Sequence, residues 1–374
     1  MGRTNLHLGS WSACVLLLHA QSALLEPTEP SQEFCIETTR GCTACVDAVD
    51  GRVRLQIGQE GAKATARSGD GRWLARLIRS GTVVIHDTRD GSERARLETL
   101  PFVPPPQLDW DGPPQWESWW GEDRCVRFAA SDEHLVLAKG HRATELWSIE
   151  PCERIALLVL EDEIEATALD VSADGAWIAT GDKDGRIAIW SAANGELAKA
   201  PTKISGAITS VHFDPSGMRL AIGTNGCYVH VLELEGGALR ELLPSRRTGP
   251  DFGLGIEDVR FDPKGTLLVA LSGSCGPRVC AWNTASWTIA WETDVAWGGN
   301  THGSIRFGRD GARLLLSGRG LALDARDGSI LCEVFPIRAD MHLATNGEQA
   351  WSLEGDLLRI YSFEPCVRIR DVHL

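Results

Sequence analysis

Nowhere does this sequence hold an apolar run near the ~18 residues needed to cross a bilayer as a helix, so no membrane span is expected. An excess of positive charge is missing too: 37 Lys and Arg stand against 51 Asp and Glu, for a net charge of −14. That balance disfavours an electrostatic grip on phosphate backbones, and no run of Lys and Arg marks a local exception. Nucleic acid is therefore a poor candidate partner. Helical periodicity is hard to find after Leu25, which leaves a chain that reads as all-β. Familiar catalytic wording is absent as well, with no Gly-x-Ser-x-Gly elbow, phosphate loop or His-Glu-x-x-His. Asp182-Lys183-Asp184-Gly185 has the look of a calcium loop without its downstream Glu, and reads as a hairpin turn.

Eleven cysteines is an odd count, so at least one thiol is unpaired within the chain. Cys35, Cys42 and Cys45 are spaced C-x6-C-x2-C, but no His follows until His86 to complete a zinc site. They read as small apolar strand residues, and no metal or cofactor is expected. Cys275 and Cys280 flank a Gly-Pro turn and would pair in an oxidising compartment; the default reading is reduced. At the N-terminus Arg3 precedes a short apolar run, Trp11–Leu18. Residues 1–22 therefore read either as a weak secretory signal or as a helix or arm. The first reading implies a secreted or periplasmic protein; the second, taken as the default, a cytoplasmic one.

What the chain does contain is one pattern written repeatedly. In Glu165–Gly237 a short apolar run (Ala168–Val171; Val211–Phe213) meets a polar turn (Ala173-Asp174-Gly175; Pro215-Ser216-Gly217). A second run follows (Trp177–Ala179; Leu220–Ile222), then another turn and a third, alternating run (Ile187, Ile189; Val229, Val231). Tight turns between alternating runs predict antiparallel hairpins. Gly175 and Gly217 set the period at 42 residues, the length of a stacked structural repeat. A four-stranded sheet cannot cover both its own faces, whereas copies stacked radially cover each other.

The wording FDPSGMRLAIG and DKDGRIAIWS resembles the two halves of a WD40 repeat. The resemblance implies a β-propeller and places Thr180, Asp184 and Trp190 as the strand hydroxyl, turn aspartate and tryptophan of that repeat. The family's Gly-His pair is missing, with acids near Asp162-Glu163 in its place, so packing must carry more of each blade. Leu323-Asp324-Ala325-Arg326-Asp327-Gly328 is similar, more weakly, to a quinoprotein-like propeller hairpin. Residues 1–32 lie outside the repeats and end in a Pro-rich linker; 33–374 form the propeller. Third-to-fourth-strand hairpins near Val46, His86, Trp147, Trp190, Val231, Trp282, Leu323 and Tyr361 give a count that leans to eight blades over seven. The echo of WSIEPCERI in YSFEPCVRI, 214 residues on, keeps the register. Trp73, Trp147, Trp177, Trp190, Trp282 and Trp351 fall in strands and read as packing between blades.

Three connections exceed what a blade needs: Pro101–Glu122, Pro244–Gly255 and Trp291–Gly303. Each joins a fourth strand to the next first strand, so all three belong on one rim. The first is stiffened by prolines and carries Trp110, Trp116, Trp119 and Trp120; the second has Arg246, Arg247 and Phe252; the third, Trp297 and His302. Rigid aromatic loops of this kind suit a partner-binding patch, though the same tryptophans would also serve to cap blades. The function expected from the WD40 resemblance is a non-catalytic scaffold binding a protein or peptide through these loops. One alternative is a propeller enzyme of hydrolase or lactonase type with its site at the channel mouth. Asp170, His212, Asp258 and His342 near first strands are its candidates, but they show no repeating spacing or nucleophile–base pairing. The other is an extracytoplasmic, quinoprotein-like assembly factor.

Overall fold

The computed structural model describes residues 33–37, 42–47, 52–58, 60–68, 70–78, 80–100, 126–129, 132–138, 144–160, 166–243, 255–273, 278–295, 303–308, 310–317, 319–333, 340–343, 349–354, 357–363 and 366–373. The arm over residues 1–32 lies outside this set. Among the described residues there is no helix; every regular element is a strand, and the strands fall into eight antiparallel sheets. The first sheet has three strands, β1 (Glu33–Glu37), β2 (Thr43–Asp47) and β3 (Val53–Ile57). Seven four-stranded sheets follow, each a meander in chain order.

The second blade holds β4 (Ala62–Arg67), β5 (Trp73–Ile78), β6 (Val83–Asp87) and β7 (Glu93–Leu97); the third, β8 (Val126–Phe128), β9 (His134–Ala138), β10 (Thr144–Ser148) and β11 (Glu153–Leu158). The fourth has β12 (Ala166–Val171), β13 (Trp177–Asp182), β14 (Arg186–Ser191) and β15 (Thr202–Lys203). The fifth has β16 (Ile208–Phe213), β17 (Arg219–Thr224), β18 (Val229–Glu233) and β19 (Leu239–Leu242). The sixth has β20 (Ile256–Phe261), β21 (Leu267–Ser272), β22 (Arg278–Asn283) and β23 (Ile289–Asp294). The seventh has β24 (Ser304–Phe307), β25 (Arg313–Ser317), β26 (Leu321–Asp324) and β27 (Ile330–Glu333); the eighth, β28 (Asp340–Leu343), β29 (Gln349–Glu354), β30 (Leu357–Phe363) and β31 (Cys366–His373). The eight hairpins counted in the sequence are thus eight sheets. No described strand from the C-terminal end joins the first sheet.

The core lies between blades rather than within them. Ala168, Ile187 and Ile189 of the fourth blade share one buried cluster with Val211, Phe213 and Leu220 of the fifth. Similar clusters join the second blade to the third, the third to the fourth, the fifth to the sixth and the sixth to the seventh. Trp73, Trp147, Trp190 and Trp282 are buried in these seams, and half-buried Trp177 packs on one, as the sequence leads one to expect.

One side-chain contact persists in the fourth blade despite the missing Gly-His pair: Trp190 Nε1 donates to Thr180 Oγ1 at 2.9 Å. Asp184 does not do the work expected of it. Asp182, at the end of β13, accepts the Asp184 and Arg186 backbone N–H groups, both at 2.8 Å, and pairs with Arg186 Nε at 2.9 Å. Asp182 points into the turn while Asp184 sits on its outside, so the inner carboxylate organises it.

The cysteines follow the reduced default only in part. Cys280 carries a reduced thiol that donates to Glu292, so it does not pair with Cys275, and burial pushes its pKa up. Cys42 and Cys45 are reduced strand and near-strand residues, as read. Cys227 and Cys332, by contrast, are disulfide-bonded, which corrects the reduced default.

Candidate functional site

Each blade's first strand is a sheet edge, and an edge leaves a row of backbone groups without strand partners. Here side chains from the preceding blade supply them. Asp170 Oδ2 accepts the Phe213 N–H at 2.8 Å, His212 Nδ1 accepts the Phe261 N–H at 3.2 Å, and Asp258 Oδ2 accepts the Ile305 N–H at 2.9 Å. Ser210 Oγ donates to Asp258 Oδ1 at 2.9 Å, and Thr167 Oγ1 donates to the Ile208 carbonyl at 2.6 Å.

Strand pairing puts Arg127, Asp170, His212, Arg260 and Arg306 at one equivalent inner position, the last but one before the first turn of each blade. Asp170 and His212 at that position, and Asp258 two residues before Arg260, which sequence alone presents as scattered, form an inter-blade brace. The His342 side chain lies outside what is described. Burial lowers the His212 pKa to about 4; Asp170 and Asp258 oppose the shift, Arg260 and Arg127 assist it. The ring is therefore neutral at pH 7, as an acceptor at Nδ1 requires.

The three long connections leave and enter on one face. Segments before first strands touch second-to-third-strand turns throughout: the Ile204 N–H donates to the Gly185 carbonyl, Asn225 N–H to the Ala207 carbonyl and Gly273 N–H to the Gly255 carbonyl. Trp110, Trp116, Trp119, Trp120, Arg246, Arg247, Phe252, Trp297 and His302 all lie outside the described residues. The third connection is shorter than its expected span, because β23 continues to Asp294 and buries Trp291, whose Nε1 donates to the Ala325 carbonyl at 2.9 Å.

What the structure adds is how the roots of these connections are held. Leu100, the last described residue before the first connection, donates its N–H to Glu145 Oε1 at 2.9 Å. Glu145 is buried, and its other oxygen accepts Trp147 Nε1 at 3.2 Å with Arg154 at 3.5 Å. Gly303, where the third connection rejoins the blades, donates its N–H to Glu257 Oε2 at 2.7 Å. The other oxygen of Glu257 takes Arg319 Nη2 at 2.8 Å, and both side chains are sealed from solvent. Burial pushes the Glu257 carboxyl up while Arg319 and the Gly303 N–H pull it down. Gly273 makes room for this pair, since a Cβ there would stand 2.3 Å from Glu257 Oε1. Gly255, at the end of the second connection, sits against the Thr224–Asn225 backbone with a Cβ-sized gap already closed.

Glu145, Glu257, Arg319 and Gly255 escape a reading by motif. The one signal available was a glutamate at an inward strand position, Glu145 beside Leu146 and Glu257 beside Ile256. Truncating Glu145→Ala is expected to cost about 1–3 kcal/mol, because the Leu100 and Trp147 donors lose a buried acceptor; thermal unfolding measures it.

Among the described residues no group of three or more His, Cys, Asp or Glu is placed to hold a metal, and no helix is long and apolar enough to cross a membrane.

With this geometry in view, comparison with known proteins gives a consistent class. The family model described as "WD domain, G-beta repeat" matches residues 161–191, ending with β14 of the fourth blade. Among solved structures, the β-propeller domain of Myceliophteria thermophila Cps50 (Swd1) superposes with a TM-score of 0.50 at 14% identity, covering 67% of this chain and 86% of that one. A chain of the Mitotic Checkpoint Complex superposes with a TM-score of 0.55 at 17% identity, covering 76% of this chain and 79% of that one. At such identities the likeness speaks for the fold. The fold is an all-β propeller of antiparallel blades, seven of the eight described sheets four-stranded, and it is similar to WD40-repeat propellers. No curated protein sequence matches the chain.

Proposed function

We propose that the protein is a non-catalytic scaffold that holds a protein or peptide partner on its loop-bearing face. The observation that carries this reading is the pinning of the loop roots at Leu100 and Gly303 by buried carboxylates. Fixing a root lowers the entropy lost when a loop engages a partner. The engagement of Asp170, His212 and Asp258 as backbone acceptors supports the scaffold over a channel enzyme. That one structural relative belongs to an assembly named a checkpoint complex accords with a protein partner.

Substituting Trp116, Trp119 and Trp120 together with Ala tests the reading. The expected result is loss of partners captured from the native host at an unchanged melting temperature. Unchanged partners with a lowered melting temperature would assign these tryptophans to capping and sink the proposal.

The disulfide-bonded state of Cys227 and Cys332 favours the secreted or periplasmic location over the cytoplasmic one, because such bonds persist in oxidising compartments. Peptide mapping of native protein, alkylated without reductant, decides it. Alkylated Cys227 and Cys332, together with an intact Met1 or Gly2, would return the protein to the cytoplasm.

A further inference from the structure

Three non-glycine residues have φ in the left-handed region: Asp132 (+55°), Cys227 (+62°) and Trp287 (+57°). Each occupies a turn position that other blades give to glycine. Asp132 donates its N–H to the carbonyl three residues back, the bond made in equivalent first turns by Gly71, Gly175, Gly217, Gly265 and Gly311. Cys227 does the same where Gly81 and Gly185 stand in second turns. Trp287 closes the turn between β22 and β23 with an N–H to the Asn283 carbonyl at 2.7 Å. In the second, fourth, fifth and seventh blades that four-back bond is made by Gly91, Gly195, Gly237 and Gly328, at φ of +71° to +73°. A side chain in this conformation is strained, and a bulky one is a true outlier.

For two of the three, the compensation lies within the fold. The Asp132 carboxylate accepts the Asp70 N–H of the neighbouring blade at 2.7 Å, and Cys227 is disulfide-bonded. Trp287 is different. Its indole is half-buried against the edge of the fifth–sixth blade seam and flanked by two guanidinium groups, Arg219 at 5.6 Å and Arg240 at 5.7 Å from the ring. Arg219 is tied to Asp214 at 3.0 Å, but exposed Arg240 makes no ion pair among the described residues. In a chain of net charge −14, a half-buried indole flanked by two cations, one of them exposed, is a local exception. The turn also lies on the face opposite the long connections: the Thr284 N–H and Oγ1 contact the first turn of its own blade at Thr266 and Gly265.

We infer that Trp287 and Arg240, with Arg219 behind the ring, form a second docking surface, on the face away from the loops, for an acidic peptide segment of a partner protein carrying an apolar side chain. The open edge of the indole takes the apolar group, while Arg240 takes a carboxylate; Arg219, held by Asp214 and the Gly265 carbonyl, adds only its charge. The left-handed backbone puts an indole at the rim of the seam where glycine would leave a bare turn. The surface does not depend on the loop-bearing face.

The test uses the full chain and a fluorescein-labelled hexaglutamate peptide with one central Phe, read by fluorescence anisotropy. The expected result is binding that weakens at least about tenfold in Trp287→Gly and in Arg240→Glu, and stays unchanged in the Trp116, Trp119 and Trp120 triple substitution. Glycine is what four other blades carry at this turn, so Trp287→Gly is expected to keep its fold, the relief of backbone strain offsetting part of the lost indole packing. Absence of binding to the native chain overturns the proposal, as does wild-type affinity in both variants. A melting temperature that drops in Trp287→Gly while Arg240→Glu binds normally also overturns it, by showing the indole to be packing alone. Loss of the triple variant's partners with this peptide still bound would leave both surfaces standing as separate sites.

Discussion

Replacing Arg319 with leucine is expected to cost about 3–5 kcal/mol of folding stability near neutral pH, and to cost less at pH 5 than at pH 8. The pair it breaks is sealed: the Glu257 side chain is 0% exposed and that of Arg319 1%. Removing one partner of such a pair leaves a charge in a medium that cannot solvate it. Glu257 would keep the Gly303 N–H but lose its charged partner, so its folded pKa, already raised by burial, would rise further. The sign follows from linkage. A carboxyl whose folded pKa exceeds the unfolded value contributes most below the unfolded pKa, and that contribution is lost as pH rises through the folded pKa. Urea unfolding at the two pH values measures both the loss and its direction. The double substitution Glu257→Leu with Arg319→Leu should recover much of the stability, since apolar replacement of a buried pair is often neutral. A single substitution that costs under about 1 kcal/mol would mean that water reaches the pair. Because Glu257 also holds Gly303, the single variant should loosen the entry to the sixth–seventh blade connection, visible as faster amide exchange there.

Acid is expected to weaken the protein well before its carboxylates titrate, and His212 is the main reason. Its Nδ1 must carry a lone pair to accept the Phe261 N–H, and its pKa stands near 4 in the fold against 6.5 outside it. Between those values the unfolded chain binds a proton that the native one refuses, so stability is full above pH 6.5 and falls as pH drops towards 4. The shift corresponds to at most about 3 kcal/mol, trimmed to roughly 1–2 by the solvent that reaches this half-buried ring. Burial lowers the pKa of His86 and His230 as well, which adds in the same direction. Asp174, Asp214 and Asp324 are held below the usual carboxylate range and so lose their contribution only at lower pH. Glu257 works the opposite way, so the informative quantity is the difference between variants. Asparagine places an oxygen close to where Nδ1 sits, and it does not titrate. His212→Asn should keep neutral-pH stability and flatten the decline between pH 6.5 and 4; His212→Ala should lose stability at every pH. A decline of unchanged slope in His212→Asn would remove His212 as its cause.

Much of this architecture is legible in the chain before folding. Alternating apolar runs broken by Asp-Gly and Pro-x-Gly turns specify each hairpin, because strand side chains alternate in period two and the turns need residues that tolerate left-handed backbone. The tryptophans of the seams are likewise readable, as large apolar groups at two recurring registers, the start of the second strand and the end of the third. Less visible is any relation between side chains on different blades. Asp170, His212 and Arg260 are unevenly spaced because the intervening connections differ in length, yet strand pairing brings them to one level.

The sequence by itself determined the repeat, the strand order and the face on which the long connections emerge, since all of these follow from local pattern and chain direction. Only the tertiary structure decided that His212 stays neutral, that Glu145 and Glu257 hold the loop roots, and that Trp287 is strained. Each of those depends on desolvation or close approach between blades, and neither is written in the order of residues along one strand.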